Sequence, residues 1–204
     1  MVFIDYLKRA EIIDNAMKEF AEHGYEKANT NRICKAANVS KGLIFHHFGS
    51  KQNLYISVVE KCIDDILMFF KSLSVKDEDF IKSLSAYYQH RFNFFKKHPM
   101  HYKMLMQAIN AAPKELRSEI EEKTTELNNL AESILISCFE KIQLKEGVKR
   151  EMALSIIIMV LNVIESKYAP LLSDSGGFSG EQANTLSEEC DELIRLVLYG
   201  IAVQ

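Results

Sequence analysis

The most informative chemistry in this sequence lies between Lys27 and Val59, where basic residues occur and acidic residues do not. The whole chain of 204 residues is acidic, with a formal net charge of −3, so this positive charge is local. A local excess of Lys and Arg suits binding to phosphate groups, whatever the sign of the overall charge. The cations in the segment are Lys27, Arg32, Lys35, Lys41 and Lys51.

Capping and turn residues divide this basic segment into two short helices joined by a tight turn. Asn29 is a candidate N-cap for the first helix and Ser40 for the second. Asn38 tolerates the left-handed conformation that a sharp helix end requires, and Gly49 followed by Ser50 marks the change to a third helix. The arrangement predicts a helix-turn-helix, which places its second helix in the major groove of DNA. The alternative is a solvated helical hairpin with ordinary surface lysines.

Helical spacing separates an inward face of the second helix from an outward one. Ile44 and Phe48 are four residues apart and should face inward. Gly42 has no side chain, so a phosphate can approach the backbone there. Lys51 is predicted in the first turn of the next helix, where a cation opposes the helix dipole unless a phosphate lies nearby. The predicted DNA-contacting residues are Thr30, Asn31, Lys41, Gly42, Leu43, Phe45, His46, His47 and Lys51.

Residues 12–55 resemble the DNA-binding domain of the TetR family of bacterial transcriptional regulators. The family pattern Phe-Ala-Glu-x-Gly-Tyr occurs here from Phe20 to Tyr25. The longer pattern Ile-Ala-x-x-Ala-Gly-Val-Ser-Lys-Gly-x-x-Tyr-x-His-Phe-x-x-Lys-x-x-Leu is matched in register from Ile33 to Leu54. The departures are Cys34 for Ala, Asn38 for Gly, and Phe45 for Tyr, which removes a hydroxyl that often contacts phosphate in such proteins. The resemblance implies a regulator that binds an operator in double-stranded DNA.

Composition suits a compact, mostly helical protein, because hydrophobic residues make up 48% of the chain and only three prolines interrupt it. Helical spacing along the chain predicts an all-α protein of about nine helices. We predict a helix-turn-helix DNA-binding domain over residues 1–50 and a helical regulatory and dimerisation domain over residues 51–204. Beyond the two short helices, the predicted helices cover about 5–23, 51–73, 80–97, 100–111, 114–143, 149–168 and 181–202, with a loop at 171–180.

The eighth predicted helix is apolar on every side from Met152 to Ile164, so it must be covered all round. A second copy of the protein would cover it, and the alternative is a central core helix. The resemblance adds that such proteins form homodimers through their last two helices. A twofold dimer reads two half-sites spaced by about 34 Å or a multiple of it, which predicts an inverted-repeat operator.

Aromatic and Met side chains with a few interleaved polar groups occur throughout the fourth to eighth helices. This pattern fits either a small-molecule pocket or plain core. The resemblance implies a pocket, and hence a repressor released by a small apolar or amphipathic effector. The alternative is a DNA-binding regulator without such an effector, controlled by a protein partner or acting as an activator. Asn162, an amide in an apolar helix, needs a partner in a ligand or in a second chain. The predicted ligand-binding residues are Phe69, Tyr88, Arg91, Phe92, Tyr102, Met106, Asn162 and Glu165.

Other functional classes find no support in the sequence. The cysteines Cys34, Cys62, Cys138 and Cys190 form no C-x-x-C pair, which indicates buried, reduced thiols. His98 and His101 are separated by Pro99 and have no evident third ligand, so we predict no metal site. No catalytic constellation or cofactor motif is visible, and we expect no enzyme activity. Without a signal peptide or an apolar run of about 18 residues, a cytoplasmic protein is expected.

Overall fold

Helices make up most of the computed structural model, which describes residues 2–72, 79–173 and 180–201. The predicted all-α class with an N-terminal helix-turn-helix is confirmed. The helices in these ranges are α1 (Val2–Lys27), α2 (Thr30–Ala36), α3 (Lys41–Phe48), α4 (Lys51–Lys71), α5 (Phe80–Lys97), α6 (Pro99–Asn110), α7 (Arg117–Phe139), α8 (Arg150–Ser173) and α9 (Gly180–Ile201).

The first turns of α2 and α3 are capped by the side chains that the sequence predicts to cap them. Asn29 accepts a hydrogen bond from the backbone N–H of Asn31 at 2.8 Å, which caps α2. Ser40 caps α3 by accepting from Leu43 N at 3.2 Å. Asn38, between them, has a φ of 49° and is the only non-glycine residue in the described ranges with a positive φ. The tight turn between α2 and α3 therefore forms for the predicted reasons.

Three helix boundaries predicted from proline and charge are wrong. Residues Lys114–Leu116 form a separate 3₁₀ turn, and α7 begins only at Arg117 and ends at Phe139 rather than at Gln143. Helix α8 continues through Pro170 to Ser173, because a proline inside a helix removes one backbone hydrogen bond and can kink the helix without ending it. Most of the predicted loop at 171–180 lies outside the described residues.

The chain forms two compact units. The first contains the residues up to Phe69 together with Met100–Asn128. Its core includes the predicted inward stripe of α1, in which Ile13, Ala16, Met17 and Phe20 are all buried. The rings of Phe20, Tyr25 and Tyr55 pack edge to face or in parallel around this core, and the predicted boundary at residues 50 and 51 stays a prediction.

Polar contacts attach α6 and the first half of α7 to α4 within this first unit. The ring of His101 lies 3.0 Å from the Asp65 carboxylate, and the thiol of Cys62 donates to the carbonyl oxygen of His101 at 3.3 Å. Lys123 forms an ion pair with Glu60 at 2.6 Å. The helix that follows α3 is thus held by residues some 40 to 60 positions further along the chain.

The second unit contains Phe70–Pro99 and the chain from Asn129 onwards. Its core is formed by α5, α7, α8 and α9, with Phe139, Ile157 and Ile194 almost fully buried. Unlike this buried core, the surfaces of α8 and α9 include large apolar side chains that are exposed. These side chains are Met152, Met159 and Val163 on α8 and Leu196 and Tyr199 on α9. Among the described helices, none is long and apolar enough to cross a membrane.

Three of the four cysteines have described side chains, and all three are free and buried, as predicted. Burial raises the pKa of the Cys62 thiol to about 12. The side chain of Cys190 lies outside the described part of the structure.

Candidate nucleic-acid interface

The outward face of α3 carries the side chains that the sequence predicts for DNA contact. Ile44 and Phe48 are buried, with exposed fractions of 1% and 5%, and anchor the helix to the first unit. Lys41, Phe45 and His46 are exposed, and the Lys41 ammonium lies 5.9 Å from the centre of the Phe45 ring. Gly42 is exposed as well, while Leu43 and His47 are half-buried. The helix therefore presents a cation, the His46 imidazole and an open backbone position to solvent.

The start of α2 lies near this face in sequence. Some of its polar groups already form hydrogen bonds within the chain. Thr30 is half-buried and Asn31 is exposed. Because the backbone N–H of Asn31 already donates to the cap Asn29, a phosphate would meet the side chain of Asn31 rather than its main-chain amide.

Lys51 has two neighbours inside the protein. Its ammonium donates to the carbonyl oxygen of Glu26 at 3.2 Å and lies 4.8 Å from the centre of the Tyr25 ring. These contacts offset the unfavourable position of a cation in the first turn of α4, so a phosphate is not needed to explain it. An ammonium has three N–H donors, and those not used by Glu26 can still reach a DNA phosphate.

Arg32, counted with the basic residues in the sequence, is committed to Glu19 of α1. Its Nε lies 2.9 and 3.0 Å from the two carboxylate oxygens, and its guanidinium also donates to the carbonyl oxygen of Lys27. Glu19 accepts a further hydrogen bond from the backbone N–H of Asn29 at 2.8 Å. The sequence signal for this pair is an acid directly beside Phe20 in the buried stripe of α1, where Glu19 is only 8% exposed.

The Glu19–Arg32 pair predicts an acid-dependent loss of stability. Burial raises the pKa of Glu19, but the hydrogen bonds from Arg32 and Asn29 outweigh it, so the pKa lies below the ordinary 4.5. A lowered carboxyl pKa stabilises the fold above 4.5, and this contribution disappears as the pH falls through the lowered value. We expect Glu19→Gln to reduce the free energy of unfolding at neutral pH by about 1–3 kcal/mol. The deficit should shrink below pH 4.5 in thermal unfolding curves recorded from pH 7 to pH 3.

The matched control is Glu11→Gln, which removes the carboxylate that pairs with Lys8 at 2.7 Å on the same helix. Both of those side chains are more than 40% exposed, so the change should be within about 0.5 kcal/mol. Equal effects of the two substitutions at every pH would contradict a special role for Glu19.

Gly24 forms the junction between α1 and the helix-turn-helix. Its backbone has a φ of 68° and a ψ of 170°, which interrupts the helical geometry of α1. Residues with a side chain almost never adopt this conformation. The break places Tyr25 beside Tyr55 and brings the Glu26 carbonyl to Lys51. The backbone conformation at this position therefore explains why the Phe-Ala-Glu-x-Gly-Tyr pattern has a glycine there.

The predicted ligand-binding residues are divided between the two units. Phe69, Tyr102 and Met106 belong to the first unit, while Tyr88, Arg91, Phe92 and Asn162 belong to the second. Phe92 and Tyr102 are buried, and the Arg91 guanidinium lies 6.0 Å from the centre of the Tyr88 ring. Asn162 is exposed on α8, so its amide is open to solvent in the single chain. The side chain of Glu165 lies outside the described residues, and a common pocket stays a prediction.

The two histidines flanking Pro99 have separate surroundings. The His98 ring lies 4.7 Å from the Phe94 ring, centre to centre, and His101 contacts the carboxylate of Asp65. Within the described ranges, no group of three His, Cys, Asp or Glu side chains is arranged to hold a metal ion.

Comparison with known proteins identifies the DNA-binding part of the chain. Residues 12–58 match the sequence profile of bacterial regulatory proteins of the tetR family. The chain is 29% identical over 130 residues to IcaR, the negative transcriptional regulator of the biofilm operon icaADBC from Staphylococcus epidermidis, covering 64% of this chain and 68% of IcaR. It is 47% identical over 53 residues to the transcriptional repressor AcnR from Corynebacterium glutamicum, covering 26% of this chain and 28% of AcnR.

The fold likeness extends over most of the chain. The crystal structure of the transcriptional regulator FadR from Bacillus subtilis in complex with stearoyl-CoA superimposes with a TM-score of 0.63 at 20% identity. That superposition covers 91% of this chain and 96% of FadR. The profile match falls on the helices that carry the outward face of α3, and the likeness to IcaR extends well beyond them. The DNA-binding part of the chain, residues 12–58, therefore belongs to the TetR family of bacterial regulatory proteins.

Proposed function

We propose that this protein is a transcriptional repressor that binds an inverted-repeat operator as a homodimer. The observation that carries this proposal is the outward face of α3, on which Lys41, Phe45 and His46 are exposed. Ile44 and Phe48 anchor the opposite face of the same helix. A helix of eight residues spans only part of a major groove, so two copies are needed to read a site of useful specificity. Repression is the activity named for the relatives IcaR and AcnR.

Support for the homodimer comes from the exposed apolar side chains of α8 and α9. Met152, Met159 and Val163 lie at positions i, i+7 and i+11 of α8, which fall on one side of a helix. Met159 and Val163 are 59% and 66% exposed, and Leu196 and Tyr199 of α9 are 65% and 69% exposed. Large apolar side chains grouped in this way favour burial against a partner. A second copy would supply the same surface and give a twofold interface.

The salt dependence of DNA binding tests the electrostatic part of the proposal. Each phosphate neutralised by a cation contributes about 0.9 to the log–log slope of affinity against salt. A dimer carries two copies of Lys41, so Lys41→Ala should make the slope shallower by about 1.8. The measurement is fluorescence anisotropy of a labelled operator, obtained by selection from random DNA, titrated from low to moderate salt.

The variants Lys51→Ala and Lys82→Ala complete this experiment. Lys82 is exposed on α5 in the second unit and should leave the slope unchanged. Lys51→Ala should reduce the slope as Lys41→Ala does if its remaining donors reach phosphate. An unchanged slope for Lys51→Ala would assign this residue to the Glu26 and Tyr25 contacts alone. Wild-type protein that ignores DNA at low salt would refute the proposal.

We further propose that a small apolar or amphipathic effector releases the repressor from DNA. The second unit is rich in aromatic rings, among which Phe70 lies 5.5 Å from Tyr87 and 6.2 Å from Phe94. FadR, a protein of similar fold, was crystallised with stearoyl-CoA. Stearoyl-CoA and free stearate are therefore the first probes to add to the operator complex. Release of the operator by either probe supports an amphipathic effector, and retention with both favours the alternative of a regulator without such an effector.

A further inference from the structure

Arg9, in the second turn of α1, lies at the C-terminal end of α3. The carbon at the centre of its guanidinium group is 5.2 Å from the centre of the Phe48 ring, and Phe48 is the last residue of α3. The Phe48 ring is in turn 6.0 Å from the ring of His47. A side chain that is 39 positions before Phe48 in the sequence is therefore part of the surface at the end of α3.

The contact with the Phe48 ring leaves hydrogen-bond donors of Arg9 available. A cation–π contact needs no oxygen acceptor, and a guanidinium has five N–H donors. Arg9 is exposed, and it makes no hydrogen bond or ion pair with any residue that the structure describes. Its neighbour Lys8, by contrast, is paired with Glu11 at 2.7 Å. Among the side chains that the structure describes, none neutralises the guanidinium of Arg9.

Two other cations of the first unit already have partners within the protein. Arg32 donates to Glu19, and Lys51 donates to the Glu26 carbonyl. Arg9 supplies a cation that the basic run from residue 27 to residue 59 does not include. A guanidinium also suits phosphate particularly well, because two of its N–H groups can bind two phosphate oxygens at once.

We propose that Arg9 contacts a DNA phosphate at the edge of the groove that α3 enters. This inference rests on the proposed function, since it presumes that α3 lies in the major groove. The phosphates bordering the groove face the ends of a helix inserted in it, and Arg9 stands at one of those ends. The contact carries no base information, so it strengthens binding to any duplex and fixes the orientation of α3.

The competing role of Arg9 is purely structural. A cation near the C-terminus of α3 interacts favourably with the helix dipole and with the Phe48 ring, and either effect would stabilise the free protein. The two roles differ in what they change. A phosphate contact alters the salt dependence of DNA binding, whereas a structural contact alters the thermal midpoint of unfolding without altering the salt dependence.

The test compares Arg9→Gln, Arg9→Lys and Lys18→Gln in the full chain. Lys18 is exposed on the same helix, nine residues further on, which places it on the opposite side of α1. We expect Arg9→Gln to make the log–log salt slope shallower by about 1.8 per dimer. Its affinity at low salt should fall by roughly tenfold or more, to a similar extent for the operator and for unrelated duplex. Arg9→Lys should retain the slope because it retains the charge, and Lys18→Gln should match the wild type.

Three results would overturn the inference. The first is an Arg9→Gln slope equal to that of the wild type, whether or not the unfolding midpoint falls. The second is an equal loss of slope in Lys18→Gln, which would indicate a general charge effect. The third is loss of operator binding with unrelated duplex unaffected. In each case a wild-type protein that binds its operator leaves the proposed function intact, whereas a wild type that binds no DNA would refute both.

Discussion

The Gly24→Ala variant is expected to unfold at a markedly lower temperature than the wild type. An alanine would have to adopt a φ of 68° with a ψ of 170°, a conformation that costs about 1–3 kcal/mol for a residue with a side chain. Its Cβ would also lie 3.3 Å from Oε1 of Gln107, although that flexible amide can move aside. For a chain of this length, each kcal/mol lowers the unfolding midpoint by about 2–4 °C in calorimetry or circular dichroism.

Two further variants separate backbone strain from other causes. Gly42→Ala lies inside α3, where an added Cβ meets only Ser40 Oγ at 3.8 Å, so its stability should equal or slightly exceed that of the wild type. Gly42→Ala should nevertheless weaken DNA binding if the backbone approaches phosphate there. The double variant Gly24→Ala/Gln107→Ala should remain as unstable as Gly24→Ala. Full recovery in the double variant would show that the Gln107 contact, and not the backbone conformation, is responsible.

A charge introduced on the exposed surface of α8 should separate the proposed dimer and remove most of its affinity for the operator. In Val163→Glu, a carboxylate replaces an apolar side chain that is 66% exposed in the single chain. Burying two such carboxylates across a twofold interface is strongly unfavourable. A monomer contacts only one half-site. It therefore loses the gain in affinity that comes from binding two half-sites at once, which is about 10²–10⁴-fold. Analytical ultracentrifugation gives the oligomeric state, and anisotropy gives the operator affinity.

The control for Val163→Glu is Met68→Glu, which makes the same kind of change on α4 at a side chain that is 69% exposed. This variant should remain dimeric and should bind the operator like the wild type. Val163→Glu should also retain the unfolding cooperativity of the second unit, because the substituted side chain is not part of the core. A Val163→Glu protein that stays dimeric at micromolar concentration would place the interface elsewhere.

The parts of the fold that could be predicted from sequence depend on residues close together in the chain. Asn29, Ser40 and Ser50 cap helices through backbone N–H groups two or three residues away, so their roles are readable from local spacing. The outward face of α3 follows in the same way from the burial of Ile44 and Phe48 on its other side. Helical spacing alone is therefore enough to identify the exposed face of α3, on which we propose DNA contacts.

The features that could not be predicted join residues that are distant in sequence. Helical periodicity shows that Glu19 lies beside a buried stripe, but it does not show that Arg32 will neutralise it. The same limit applies to Arg9, since nothing in the spacing of α1 indicates its position over the Phe48 ring. Proline is also a weaker helix terminator than its spacing in the sequence suggests, because Pro170 lies within α8.

The unit that carries α3 is assembled from two separate stretches of the chain, and this limits how the protein could be re-engineered. A hybrid regulator made by joining residues 1–69 to an unrelated sensor would keep Glu60 and Asp65 but lack Lys123 and His101, to which they are bonded. It would also lose the His101 carbonyl that accepts from Cys62. Transplanting the DNA-reading portion of this protein therefore requires carrying α6 and the first half of α7 with it.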